Sequence, residues 1–400
     1  MANKIGQYRF SRQAHHFGND SQPTFWQKVH LDPWLLMLLF VTALFGLAIL
    51  YSASTQDMSM VIRQTVSFGI AFVVMIIMAQ VPPSLYRDFT PFFYVGGVGL
   101  LVLVKVIGEV RLGAQRWIDI PGFGSVQPSE FMKLGMPMLC AWFLSKRDLP
   151  PSLSTVLITL FAIAIPVLLI AEQPDLGTSI LVASSGLFVL FLSGLPWWMI
   201  GSAVALFIPF VFVAWEYLLH DYQRKRVLTL LDPESDALGA GWNIMQSKTA
   251  IGSGGLTGKG YLQGTQSHLH FLPEGHTDFI IAAFSEEFGL IGVSLLFFLY
   301  FCILCRALFI AYSNTSTFSK LLAGAIAMSF FVYVFVNAGM VAGLLPVVGV
   351  PLPFISYGGT ALITLMAGFG LVMSIASHNI KYCRDKFWDS MAHILSKNTR

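Results

Sequence analysis

Asp278 offers the most direct route from residue to chemistry. It lies in the stretch Phe271 to Gly289, which joins the longest polar loop to an apolar helix. A carboxylate at the mouth of a membrane helix costs free energy to desolvate, and this marks it as a functional candidate. A local reading stands beside it: an Asp in the first turn of a helix complements the positive end of the helix dipole, with Thr277 as N-cap. Spacing alone leaves both open. On such a helix Ser285 shares the face of Asp278 and Glu286 is offset from it. The side chains placed to work with a carboxylate here are cationic: Arg111, Arg116, Arg224, Lys225, Arg226 and Lys248. Guanidinium groups pair bidentately with phosphate oxygens, and a carboxylate beside them can act as general base on a hydroxyl. That set permits glycosyl transfer from a lipid pyrophosphate, where the leaving group needs charge stabilisation. It equally permits transport of an anionic lipid, or simple contact with anionic headgroups.

Other groupings carry less chemistry. Glu130 and Lys133 stand three apart at the start of an apolar segment, and near a bilayer mutual neutralisation is the favoured reading. Asp175, in a short turn between apolar runs, is either a turn-forming residue or a site residue. The run Ile251 to Gly260 fails as a phosphate loop, because Ser253 and Gly260 occupy positions that need Gly and Ser or Thr; flexible turns account for it better. His268, His270 and His276 match zinc-ligand spacing only loosely, and Cys302 with Cys305 reads as two packing thiols, so no metal is assigned.

These residues must be held by membrane spans. Of 400 residues 55% are hydrophobic and 11% charged, a composition that excludes a soluble domain and, with a net charge of only +3, nucleic acid binding. In lipid every backbone group must be met internally, and apolar runs of helix length select helices over a barrel. The expected fold is an all-α polytopic membrane protein of about ten spans, with a large extracytoplasmic loop at 218–276 between the seventh and eighth. Residues 1–33 and 378–400 are terminal tails flanking the 34–377 membrane domain. The third span is expected from about Phe92, after the break at Pro82-Pro83. The eighth, from Thr277 to Ala311, exceeds the roughly 20 residues a span needs and must tilt, bend near Gly289 or begin outside the bilayer. Gly343 to Gly359 is too rich in Gly and Pro for a regular helix and belongs against protein or a water-filled cavity. With ten spans both termini share a side, and 14 of the 24 Lys and Arg residues fall in the tails and loops of that side. Both ends are thus cytoplasmic, which turns Asp278, Asp175, Arg111 and the long loop outward.

Seven motifs then appear in order: Gly113-Ala-Gln-Arg-Trp117, Gln127-Pro-Ser-Glu130, Gln173-Pro-Asp-Leu-Gly-Thr178, Asp221-Tyr-Gln-Arg224, Ile251-Gly-Ser-Gly254, His276-Thr-Asp-Phe279 and Ser356-Tyr-Gly-Gly359. Together they resemble the SEDS family of cell-wall polymerases across nearly all of residues 25–378. Asn337-Ala-Gly-Met-Val-Ala-Gly343 and Leu345 to Pro353 are similar to its elongation (RodA-type) branch rather than its division (FtsW-type) branch. The resemblance implies a peptidoglycan glycosyltransferase of the bacterial inner membrane that joins lipid II into glycan strands on the outer face, releasing undecaprenyl pyrophosphate during cell elongation. A lipid II flippase, or a scaffold for the transpeptidase, is the alternative. It implies Asp278 as the catalytic carboxylate, with Arg111, Arg116, Asp175, Arg224, Lys248 and His276 as substrate-binding candidates. Glu130 and Lys133 become an activity-modulating pair. The implied partner is a class B penicillin-binding protein, the transpeptidase, within the elongation machinery. A divalent cation, Mg or Mn, would suit the pyrophosphate, although no ligand set for it is visible. The chain departs from the family pattern at Gly275, where a larger residue is expected.

Overall fold

The computed structural model describes residues 25–111, 114–120, 124–219, 221–236, 239–265 and 275–378. His268, His270, most of both tails and the Arg111 side chain lie outside the described residues. A short helix, α1 (Phe25–Lys28), precedes α2 (Pro33–Ala53), which starts where Asp32 accepts the Leu35 N–H and Pro33 fills the first turn. The same capping logic starts α3 (Met58–Gln80) at Asp57 and α6 (Leu153–Glu172) at Ser152. α4 (Pro83–Ile107) begins directly at Pro83 rather than near Phe92, because a proline at the first helical position forfeits no intrahelical hydrogen bond. α5 (Pro128–Ser145), α7 (Leu176–Leu192) and α8 (Trp197–Val213) follow, the last running on as a π-turn through Leu218.

Among the described residues eight helices are long and apolar enough to cross a membrane. The expected ten requires α5, 18 residues carrying Glu130 and Lys133, and α7, 17 residues, in addition. Two features depart from the sequence expectation. Residues 109–126 form a three-stranded antiparallel sheet, β1 (Glu109–Arg111), β2 (Ala114–Ile120) and β3 (Gly124–Val126), in that order. The long loop contains α9 (Asp221–Leu231) and α10 (Ala240–Gly254), so of the run expected as turns, Ile251 to Gly254 end a helix and the turns begin at Gly255.

α11 (Ile280–Ser313) is 34 residues long and bends at Gly289, whose φ of 62° and ψ of −163° are not helical. α12 (Thr317–Val341) and α13 (Gly359–Ser377) complete the bundle. α13 lies along α3, α12 lies between α7 and α11, and α5 packs on α4 and α7. At the centre the rings of Tyr300, Phe330, Phe354 and Phe369 meet at 5.4 to 6.1 Å. The Tyr300 hydroxyl donates to Pro353 O at 2.6 Å, which anchors the irregular segment between α12 and α13 to this core.

Contacts separate two ends of the bundle. At one, Arg306 grips Asp32 through Nε and Nη2 at 3.0 and 2.5 Å, and the rings of His30 and His378 stack at 4.5 Å. At the other lie the sheet, α9, α10 and the start of α11.

Candidate active site

Asp278 does not cap a helix. α11 begins two residues later, with Phe279 as its N-cap and no side chain in the capping role, so the expectation of Thr277 as N-cap is not met. The Ser285 hydroxyl turns back to Ile281 O at 2.6 Å and does not join Asp278. The backbone around Asp278 is instead held from outside. Tyr357 N–H donates to His276 O at 3.0 Å, Ser356 Oγ to Thr277 O at 2.6 Å, and Asn337 Nδ2 to Asp278 O at 2.8 Å. Three successive carbonyls are thus tied to the segment between α12 and α13 or to the helix leading into it.

Those donors are themselves fixed. Ser356 Oγ accepts from Leu352 N–H at 2.8 Å, and Gln64 on α3 spans the next turn, donating to Ser356 O and accepting from Gly358 N–H, both at 3.3 Å. Asn337 also donates to Val350 O at 2.8 Å. Both neighbours of its amide nitrogen are carbonyls, so the orientation is dictated, and its Oδ1 is buried without a hydrogen-bond partner among the described residues. Asn337→Leu keeps the volume but leaves two carbonyls unmet, at about 1–3 kcal/mol each. A lowered midpoint of thermal inactivation in detergent, with lost activity, is the expected result; an unchanged midpoint would show that the clamp contributes nothing.

Residues 343–350 are where the candidate residues converge. A Cβ placed on Gly349 would stand 3.5 Å from Asp278 Oδ2, and one on Gly343 would strike Lys248 Cε and Nζ at 2.3 and 2.7 Å, so both side chains lie against this segment. Arg226 reaches it from α9, donating to Val347 O at 2.9 Å. Gly177, at the start of α7, approaches Val348 O so closely that a Cβ would come within 2.6 Å. Just before it Asp175 caps α7, accepting from Thr178 N–H at 3.2 Å, and also accepts from Gln127 Nε2 at 2.9 Å. Arg116 donates to Gln173 O at 2.9 Å and to Pro174 O, and its Nη1 lies 4.0 Å from Asp175. Arg116 and Asp175 therefore shape a turn.

Glu130 and Lys133 form the ion pair that their spacing predicts, with Nζ to Oε1 at 2.5 Å and both side chains buried. Lys133 Nζ also sits 5.3 Å from the centroid of the Tyr333 ring, and Tyr333 packs with Leu181, Val348 and Val350. Through that small apolar cluster the pair borders the same segment as Asp278. Arg224 is not brought in: it donates to Glu216 O at 2.8 Å.

Residues 32–381 match the cell cycle protein family of FtsW, RodA and SpoVE. The chain belongs to this family. Among its relatives, the peptidoglycan glycosyltransferase MrdB of Escherichia coli is 54% identical over 360 residues, 90% of this chain and 97% of that one. MrdB of Helicobacter pylori is 36% identical, covering 88% and 90% of the two chains. A chain of a peptidoglycan synthase complex that coordinates polymerization and crosslinking superposes with a TM-score of 0.75 at 30% identity, over 87% of this chain and 98% of that one. The rod shape determining protein RodA of Thermus thermophilus does so with a TM-score of 0.66 at 28% identity, over 87% and 97%.

Within this FtsW, RodA and SpoVE fold, Asn337, Ser356 and Tyr357 hold the Asp278 backbone, a role that their motifs alone do not reveal. An Asn in an apolar helix was the available signal, since a buried amide needs partners. Among the described residues no group of three or more His, Cys, Asp or Glu could hold a metal ion. His276 contributes its carbonyl to the clamp and joins no such group.

Proposed function

We propose that this chain is a peptidoglycan glycosyltransferase that polymerises lipid II on the outer face of the bacterial cytoplasmic membrane, as part of the elongation machinery. Its likeness to proteins named for that activity supports the reaction class. The observation that carries the catalytic assignment is the clamp on His276, Thr277 and Asp278. Donors on three successive carbonyls fix the backbone that carries the base in advance of the reaction, as proton transfer at a positioned hydroxyl requires.

In the proposed step Asp278 takes the proton from the 4-hydroxyl of the acceptor sugar as its oxygen attacks the anomeric carbon of the donor. The carbon–oxygen bond to the lipid pyrophosphate breaks, and undecaprenyl pyrophosphate leaves with the electron pair. Lys248, which lies against the same segment as Asp278, is the cation best placed for the phosphates, with Arg226 reaching that segment at Val347. Arg116 and Asp175 act through the turn they build, and His276 through its place beside Asp278. A divalent cation, Mg or Mn, would supply further charge stabilisation to the leaving pyrophosphate.

The charge pattern supports an outward site, since 14 of 24 Lys and Arg residues belong to the end that carries the termini. Likeness to a synthase-complex chain supports a transpeptidase partner of the class B penicillin-binding type. The test is polymerisation of purified lipid II by the full chain, with and without that partner. Glycan ladders are expected. Their absence with the partner present, together with lipid II movement across vesicles, would transfer the reading to a flippase.

A further inference from the structure

Breaking a helix strands backbone groups on both sides, and in an apolar bundle nothing else meets them. At the Gly289 bend the stranded groups are the carbonyls of Glu286 and Glu287 and the N–H groups of Leu290 and Ile291. One segment meets all four. Lys259 and Gly260 N–H donate to Glu286 O and Glu287 O at 3.0 Å, and Leu290 and Ile291 N–H donate to Gly255 O and Leu256 O at 3.0 and 3.1 Å. The approach is backbone to backbone. A Cβ on Gly258 would come within 2.0 Å of Glu287 O, and one on Gly289 within 2.4 Å of Gly258 N, while both residues have positive φ, 79° and 62°. Gly254, where a Cβ would come within 2.0 Å of Ser285 O, and Gly258 are there for contact rather than for flexibility.

Side chains lock the contact. Glu286 is fully buried and its Oε1 accepts from Lys259 Nζ at 2.6 Å, Thr265 N–H at 2.8 Å and Thr265 Oγ1 at 2.9 Å. Lys259 Nζ also donates to Thr265 Oγ1 at 2.8 Å. The neighbouring Glu287 accepts from Ser52 Oγ on α2 at 2.5 Å. A buried carboxylate gathers such donors because an uncompensated charge there is costly.

The stretch so braced, Ile280 to Phe288, is buried almost throughout and carries Asp278 just before its first residue. Glu286 sits roughly two helical turns from that end, so Lys259 acts on the site at a distance. We propose that residues 254–260, locked by Lys259, Thr265 and Glu286, are a splint that aims the Ile280–Phe288 segment and thereby places the Asp278 carboxylate for proton transfer. Lys259 is on this view a positioning residue, and the inference rests on Asp278 being the base.

The experiment uses the full chain with its transpeptidase partner and lipid II, measuring kcat, KM and amide hydrogen exchange over residues 279–291. Lys259→Met is expected to lower kcat by at least about tenfold, because small misplacements of a reacting group are expensive. KM stays within about twofold of the parent while exchange at Leu290 and Ile291 quickens and α12 and α13 are unchanged. Lys259→Arg restores most of kcat, and the isosteric Thr265→Val shows a smaller loss in the same direction. Full kcat in Lys259→Met despite faster exchange would reduce the splint to a structural prop. A raised KM with unchanged kcat would put Lys259 on the substrate instead, and either result overturns the proposal. If Lys259→Met does not fold, Thr265→Val decides, unchanged kcat counting against the splint. Ladders from the parent that vanish in Asp278→Asn test the role of Asp278 separately.

Discussion

Asp278→Asn is expected to abolish glycan polymerisation while leaving the folded bundle and its partner binding intact. The amide is nearly isosteric, and the clamp runs through the backbone carbonyls of His276, Thr277 and Asp278, none of which the substitution alters. What is lost is the negative charge and with it the ability to accept a proton. A positioned general base contributes about 10²–10⁴-fold in rate, so ladders should disappear over an ordinary time course while the thermal midpoint in detergent stays put. Polymerisation near the parental rate would remove Asp278 from the mechanism. A collapse in stability would instead make it a structural residue, the outcome that the externally held backbone argues against.

Lys133→Met should be the most destabilising single change within the spans. Its ammonium is the partner of Glu130 Oε1, while Glu130 Oε2 is buried with no hydrogen-bond partner among the described residues. Removing the cation leaves a carboxylate in apolar surroundings, and breaking a buried pair on one side costs about 3–5 kcal/mol. Glu130→Met with Lys133→Met removes both charges and should recover most of the lost midpoint, because the desolvation penalty goes with them. Activity should not recover with it. The Lys133 contact with the Tyr333 ring is gone, and Tyr333 packs on Val348 and Val350 beside the residues that face Asp278. Thermal inactivation and polymerisation measured on both singles and the double separate the two effects, and equal midpoints throughout would show the pair to be energetically idle.

How far the site could be read in advance depended on sequence distance. Glu130 and Lys133 are three residues apart on one helix, so their pairing is a matter of helical geometry and was legible. The bend of α11 was foreshadowed by an apolar run too long for one span with a glycine inside it. What bends it was not legible, because the matching segment near Gly258 has no hydrophobic period and its glycines read as loose turns. Among the consecutive cations Arg224, Lys225 and Arg226, composition could not say which meets the site. Docking of α9 sends Arg226 to Val347, Arg224 to Glu216 O and Lys225 to Asp236. Asp175 could be read either as a turn former or as a site residue and Arg116 as a phosphate ligand, and only the fold showed the two joined at one turn.

The membrane class and the helical spans follow from the chain alone, because a bilayer imposes length and apolarity on each segment independently of its neighbours. The placement of Asp278 does not. It depends on donors 59 and 79 residues away, Asn337 on Asp278 O and Ser356 on Thr277 O, and on a Gly and Pro segment with no period to read. Such bonds exist only once the helices that carry both partners have packed, and so the tertiary structure alone decided where the carboxylate stands.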